Sequence, residues 1–321
     1  MGALRREDQG VVVAGLGGYP AQPIQHLGLG GQLEPERRGR TVPPGGQAGY
    51  APQVTAVTAG QEPPDRVFAA FGAGGADRSK LAGGRGLTWR AGPVVVRPAG
   101  GADEANWRAD VLESLEHTRE FRFPRPIRAT SGRWVVDGWE AWQWVPGAAD
   151  ETRVSDVVRA GDAFHRAVAG LDRPKFAGAL NHPWARADRM AWEEEPLPSD
   201  PMLERLAAEF RRVQSPLQMI HGDLLGNVLF ADAAPATIID WAPYWRPAGL
   251  GAAIAVVDAV CWHGAPVGSA GAWGQGVAEW EQLLVRALTF RIATFHLLGM
   301  WDSALAARHV PVVNAVVARA R

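Results

Sequence analysis

The chain has 321 residues, a formal net charge of −1 and an apolar fraction of 47%. That length suits one large domain or two small ones, and near-neutral charge with no long basic run argues against a nucleic-acid partner. A single cysteine, Cys261, excludes a disulfide framework and a thiolate-rich metal site; no apolar stretch reaches the roughly 18 residues of a membrane-spanning helix, so no membrane partner is expected.

Residues 1–62 are rich in Gly, Pro, Gln and Arg and show no sustained periodicity. Such a segment buries too little apolar surface to offset ordering entropy, and a disordered extension is expected. Gly15-Leu16-Gly17-Gly18 lacks the glycine spacing and the following helix of a dinucleotide loop. The apolar run at residues 11–16 is too short and glycine-broken for a signal peptide. Arg6 stands where a myristoylation motif requires Ser or Thr. The expected location is the cytoplasm.

Gly83-Gly84-Arg85-Gly86 is a turn whose backbone amides can approach an anion closely. Thr88-Trp89-Arg90 and Val94-Val95-Val96-Arg97 follow as a β-rich run ending in a cation. Residues 103–116 read as a helix with Trp107, Val111 and Leu115 on one face and Glu104 at its start. Residues 133–147 read as two strands and a break. Helical periodicity then dominates, over residues 155–171, 201–213, 250–262 and 280–301. His165 is expected to be a packed helix histidine. Asp258 lies in a strongly apolar helix and must be paired; His221 or a backbone amide is the expected partner.

The most informative stretch is His221-Gly222-Asp223-Leu224-Leu225-Gly226-Asn227-Val228-Leu229-Phe230, followed by Ile238-Ile239-Asp240-Trp241. Residues 228–230 and 237–239 are β-prone and the segment between them reads as a turn, predicting an antiparallel hairpin. Asn227 and Asp240 are equidistant from its centre, which sets them opposite one another, about 4.5–5.5 Å apart in a regular ladder. Asp223, in the loop before the first strand, faces the same space, while His221 braces the loop. Three such oxygen donors can hold a hard divalent cation and orient a hydroxyl beside it, the minimal equipment for phosphoryl transfer.

The His-Gly-Asp, Asn-Val-Leu and Ile-Ile-Asp-Trp strings resemble the aminoglycoside phosphotransferase family, a small-molecule branch of the protein-kinase-like fold. The string Asp240-Trp241-Ala242-Pro243-Tyr244-Trp245-Arg246-Pro247 is similar to an uncharacterised, actinobacterial-type branch of it. The resemblance implies an α+β, two-lobed architecture, with a small β-rich N-lobe at residues 63–146 and a larger, mostly helical C-lobe at residues 147–321. It implies an ATP-dependent transferase, a kinase that moves the γ-phosphoryl of Mg-ATP to a hydroxylated small molecule, with no obligatory protein partner. Asp223 takes the role of catalytic base, and Asn227 and Asp240 that of Mg²⁺ ligands. Gly83, Gly84, Gly86 and Arg97 steady the nucleotide, Glu104, ahead of Asp110 and Glu113, is the expected partner of Arg97, and Gln143, Trp144 and Val145 form the adenine-binding hinge.

Two departures stand out. The family expects Lys where this chain has Arg97, and the loop from Asp223 to Asn227 is one residue shorter than the kinase catalytic loop. Both also fit a degenerate kinase-fold protein that binds nucleotide without transfer. Other chemistries lack their motifs: there is no Gly-x-Ser-x-Gly elbow, no His-Glu-x-x-His helix and no Walker loop. Glu193-Glu194-Glu195 and Asp200 are the acids available to a cationic acceptor, and Trp241, Trp245, Trp262 and Trp273 are candidates for stacking on a sugar.

Overall fold

The computed structural model describes residues 62–81 and 86–321. The extension expected at residues 1–62 lies, but for Glu62, outside them, as do Gly83 and Gly84.

The first half is β-rich. After the short helix α1 (Asp65–Ala70) come β1 (Arg78–Lys80), β2 (Trp89–Ala91) and β3 (Val94–Pro98), then helix α2 (Ala102–Ser114). The strands β4 (Phe121–Arg122), β5 (Pro126–Ile127), β6 (Val135–Val136), β7 (Trp139–Gln143) and β8 (Ala148–Ala149) follow. One antiparallel sheet runs β1-β2-β3-β7-β5, with β6 paired to β7. Asp137-Gly138 joins β6 to β7 with both residues left-handed (φ 51° and 81°), the two-residue turn whose twist matches a hairpin. The sheet covers α1 with a core built on Val67, Phe68, Val96 and Trp139.

The second half is mostly helical: α3 (Val154–Val168), α4 (Pro183–Ala191), α5 (Pro201–Ala207), α6 (Gly249–Trp262), α7 (Trp280–Leu297) and α8 (Ser303–Ala320). Among them sit β9 (Leu217–His221), β10 (Val228–Phe230), β11 (Ala236–Ile238) and β12 (Pro243–Pro247). Strands β9 and β12 pair antiparallel, and a second sheet runs β4-β11-β10-β8. Helices α6 and α7 are buried almost all round and form the centre of the large core. Among the described residues no helix is long and apolar enough to cross a membrane.

Three sequence expectations shift. Helix α2 buries Ala105, Arg108, Ala109 and Leu112 rather than the Trp107–Val111–Leu115 face, so a cation points inward from it. Helix α5 stops at Ala207, well short of residue 213. Helix α8 was not anticipated, because Pro311 interrupts its pattern; α7 ends at Leu297, before Gly299.

Candidate active site

Asp223 and Asn227 lie on the loop joining β9 to β10. The shortened loop closes with a bond from the Asn227 amide to the Leu224 carbonyl (2.9 Å), and Gly226 takes the left-handed conformation this requires (φ 85°). Asn227 is fully buried. Its Nδ2 donates to the Asp223 main-chain oxygen at 2.7 Å and to Asp223 Oδ2 at 3.1 Å. Both amide hydrogens are therefore used. The Asn227 Oδ1 is left as a buried acceptor with no partner in the protein, an arrangement that costs free energy unless a donor or cation completes it.

The hairpin forms, but one residue out of the expected register. Val228 faces Ile238 and Leu229 faces Thr237, so Asn227 lies across from Ile239, whose amide donates to the Asn227 carbonyl at 2.9 Å. Strand β11 starts at Ala236, because Ala233 adopts φ 55° and lets a five-residue loop close. Asp240 thus reaches the site through its own left-handed backbone (φ 52°) rather than through ladder pairing. The charges of Asp223 and Asp240 both act on His221 and oppose the lowering that burial imposes on it.

His221 is fully buried and braces this loop. The Asp223 amide donates to its Nδ1 (3.1 Å), so Nε2 carries the proton and donates to the Ile239 carbonyl (3.1 Å). One imidazole thereby clips the β9–β10 loop to the segment leading into Asp240. The His221 amide in turn donates to Nε2 of His165 (2.9 Å). Burial, with the neighbouring His221 adding to it, pushes His165 down to about 3 and keeps it neutral.

Asp258 does not bond His221. It pairs with Arg291, whose Nε donates to Asp258 Oδ1 at 2.8 Å and whose terminal nitrogen also reaches Oδ2. The same nitrogen donates to Asp223 Oδ1 at 2.8 Å. Burial pushes Asp258 up to about 6 even though Arg291 opposes the shift. Arg291 holds the candidate base from below, and nothing in its apolar surroundings in the sequence marks it except the need of Asp258 for a cation.

The cation on β3 also has a different partner from the one expected. The β3–β7 register sets Arg97 directly across from Glu140, and Arg97 Nε donates to Glu140 Oε1 at 2.7 Å. Its terminal nitrogen bonds Asp240. Glu104 pairs instead with Arg108, one turn along α2, at 2.8 Å. Arg108 then reaches Glu140 at 2.9 and 3.0 Å. The link between sheet and helix is therefore Arg97–Glu140–Arg108–Glu104, with the acid contributed by the sheet and the cation by the helix.

Arg97, Arg108 and Asp240 line a cleft between the β-rich and helical halves. Leu81 and Val95 from one side meet Leu229 and Ile239 from the other, an apolar slot edged by Trp144 and Val145. The Gln143 and Trp144 amides donate to Arg125 and Pro93 carbonyls at 2.8 Å. The Val145 amide has no acceptor among the described residues. The buried Arg108 Nε, Trp142 Nε1 and Trp144 Nε1, on residues lining the same cleft, also lack partners. Donors without acceptors suit a ligand rich in ring nitrogens and phosphate oxygens. Gly86 sits in the left-handed region (φ 63°) just before β2.

The donor set also fits a magnesium ion. Among the described residues there is no group of three His, Cys, Asp or Glu that could hold a metal. The Asn227 Oδ1 and the second carboxylate oxygen of Asp240 are the available oxygens. Two protein ligands beside phosphate and water is the usual complement for Mg²⁺.

The backbone has close counterparts among solved structures. An aminoglycoside phosphotransferase from Alicyclobacillus acidocaldarius superposes with a TM-score of 0.55 at 16% identity, covering 84% of this chain and 98% of that one. This is the aminoglycoside phosphotransferase fold. A thermostable mutant of the aminoglycoside phosphotransferase APH(4)-Ia, solved as a ternary complex with AMP-PNP and hygromycin B, gives 0.52 at 15% identity over 79% of this chain and 97% of that one. The sequence matches no family model and no curated protein. Likeness at this identity establishes the two-lobed, protein-kinase-like architecture, and the chemistry rests on the residues described above. The cleft between the two halves is where the structure brings Arg97, Asp240 and residues Gln143, Trp144 and Val145 together.

Proposed function

We propose that the protein is an ATP-dependent phosphotransferase that moves the γ-phosphoryl of Mg-ATP to a hydroxyl of a small molecule. The observation that carries this reading is the buried, partnerless Asn227 Oδ1 beside Asp223 and on the strand pair that leads into Asp240. Asp223, oriented by Arg291 and Asn227, accepts the proton of the acceptor hydroxyl. The slot at Val95 and Leu229 takes the purine, with the Val145 amide as its hydrogen-bond donor. Arg97 and Gly86 lie toward the phosphates in this reading. Asn227 and Asp240 would hold Mg²⁺, which supplies charge neutralisation when bound. Catalysis then comes mainly from positioning and a preorganised field.

The test is Asp223→Ala, assayed for phosphoryl transfer and for Mg-ATP binding in parallel. Transfer is expected to fall by about a thousandfold or more, with nucleotide affinity retained. Wild-type turnover in the variant would remove Asp223 from the mechanism. A second reading, nucleotide binding without transfer, is favoured by one observation: Arg97 holds Asp240, a residue the first reading assigns to the metal. Mg-ATP binding without consumption against a panel of hydroxylated compounds would select it.

A further inference from the structure

Arg97 holds two carboxylates at once, one from each half of the molecule. Its Nε donates to Glu140 Oε1 at 2.7 Å, and its terminal nitrogen bonds Asp240, 143 residues further on. Glu140 is a fixed partner. It faces Arg97 across the β3–β7 ladder, and Arg108 bonds both its oxygens at 2.9 and 3.0 Å. The Trp142 ring flanks the same guanidinium, 5.6 Å from its central carbon. Arg97 and Asp240 both line the cleft, with side chains 13% and 5% exposed.

Asp240 does not depend on Arg97 for its place. It takes a left-handed backbone (φ 52°), which Asp tolerates better than most residues. The residue before it, Ile239, is bonded at both main-chain groups. Its carbonyl accepts from His221 Nε2 at 3.1 Å, and its amide donates to the Asn227 carbonyl at 2.9 Å. The main chain therefore sets the Asp240 carboxylate at the cleft, and the guanidinium meets it there.

Two arginines serve three carboxylates in this cluster. Arg97 is shared between Glu140 and Asp240, and Arg108 between Glu140 and Glu104. At formal charges one negative charge is left over. That excess repels a free polyphosphate, and a dication reverses it. A dication on the second oxygen of Asp240 would in turn stand beside the guanidinium bonded to the first, and like charges so close repel.

Building on the phosphotransferase reading, which assigns Asp240 to the metal, we propose that Arg97 is an exchangeable counter-ion. When Mg-ATP binds, Arg97 gives up Asp240 and turns its terminal nitrogens to the phosphates. Its Nε stays on Glu140 as the pivot. An arginine suits this exchange because its fork offers separate donors to separate partners, whereas a lysine is one point charge. Metal and nucleotide then bind as a couple. A metal ion alone meets a guanidinium with nowhere to go; with ATP present the phosphates receive it. Such coupling is reciprocal.

The test uses the full chain with Mn²⁺ as a spectroscopic substitute for Mg²⁺. Electron paramagnetic resonance reads Mn²⁺ binding without nucleotide, and calorimetry reads ATP affinity in Mn²⁺ and in EDTA. Wild type is expected to bind ATP about tenfold or more tightly with the metal. Arg97→Gln is expected to bind Mn²⁺ alone about tenfold more tightly than wild type. That variant also adds one negative charge to the cluster. The double variant Arg97→Gln, Glu140→Gln restores the wild-type charge count and separates the two causes. It is expected to keep the tenfold gain for Mn²⁺ alone and to lose about the same factor from the metal's effect on ATP. A gain confined to the single variant, or none in either, overturns the proposal. Wild-type ATP affinity that is equal in Mn²⁺ and EDTA overturns it without any variant. Absence of ATP binding under every condition strikes instead at the phosphotransferase reading.

Discussion

Replacing Arg291 with Met tests the buried charge cluster that holds Asp223. The substitution keeps an apolar stem but removes the guanidinium that bonds both Asp258 and Asp223. Arg291 is 2% exposed, and Asp258 and Asp223 are 1% and 3% exposed. Removing one partner of such a pair strands the others in a low-dielectric interior, a loss of about 3–5 kcal/mol. The loss carries a pH signature. Asp258 titrates at about 6 in the fold against its ordinary 3.8, chiefly because burial disfavours its charge. A raised carboxyl stabilises the fold below its unfolded value, and that contribution disappears as pH rises through the folded value. Without Arg291 the burial is unopposed and the folded value climbs further. The penalty should therefore be greatest near about pH 8 and smaller near about pH 5, where Asp258 binds a proton. Urea unfolding of wild type and variant at both pH values measures it. The double variant Arg291→Met, Asp258→Asn should recover part of the loss at the higher pH. A penalty under about 1 kcal/mol at pH 8, or one that does not shrink at pH 5, would refute the reasoning.

Glu140→Gln leaves Arg97 and Arg108 facing a neutral amide, both in buried or half-buried positions, and thermal or urea unfolding should show a loss of about 3 kcal/mol. Gly251→Ala places a Cβ 2.7 Å from the His221 carbonyl and 2.6 Å from the His165 ring; neither can move freely, and a loss of about 1–3 kcal/mol is expected in the same assay. His165→Gln can still accept the His221 amide but does not titrate. With a folded value of about 3 against an ordinary 6.5, the unfolded chain takes the proton first, so His165 makes acid destabilising between those values by up to about 1.4 kcal/mol per pH unit; the variant's stability should fall less steeply over that window. Asn227→Ala removes the partnerless oxygen, and the Mg²⁺ concentration needed for half-maximal nucleotide binding should rise about tenfold or more, read by calorimetry with ATP present.

The parts of the site that were legible in the chain are those set by local sequence. His221–Phe230 carries its own loop chemistry, Val94–Arg97 its own strand propensity, and both appear where their residues predicted. The parts that were not legible depend on register or on distant chain. The hairpin slipped by one residue because a left-handed Ala233 shortened the loop, and periodicity does not report a backbone dihedral. Arg97 found Glu140 rather than Glu104 because cross-strand pairing of β3 with β7 sets them face to face, 43 residues apart. The buried face of α2 was misread because Arg108, a cation, occupies the core-facing row. The need of Asp258 for a partner was clear from its apolar neighbours, but Arg291 lies 33 residues on, within a helix that hydrophobicity alone marks as core. Strands β9 and β12 were missed because Pro243 and Pro247 bracket the second of them.

Helix α7 links two jobs that are usually treated as separable. Over its 18 residues, about 27 Å, it presents Gln282 and Arg286 to the main chain of the 191–211 segment, through Glu209, Arg211 and Ala191. Five positions further on, Arg291 grips Asp223. A graft that exchanged the 191–211 segment would pull on the same rod that holds Asp223, the residue proposed as base. Engineered swaps should therefore travel with their own cognate α7, and chimeras that mix the two are expected to lose turnover before they lose nucleotide affinity.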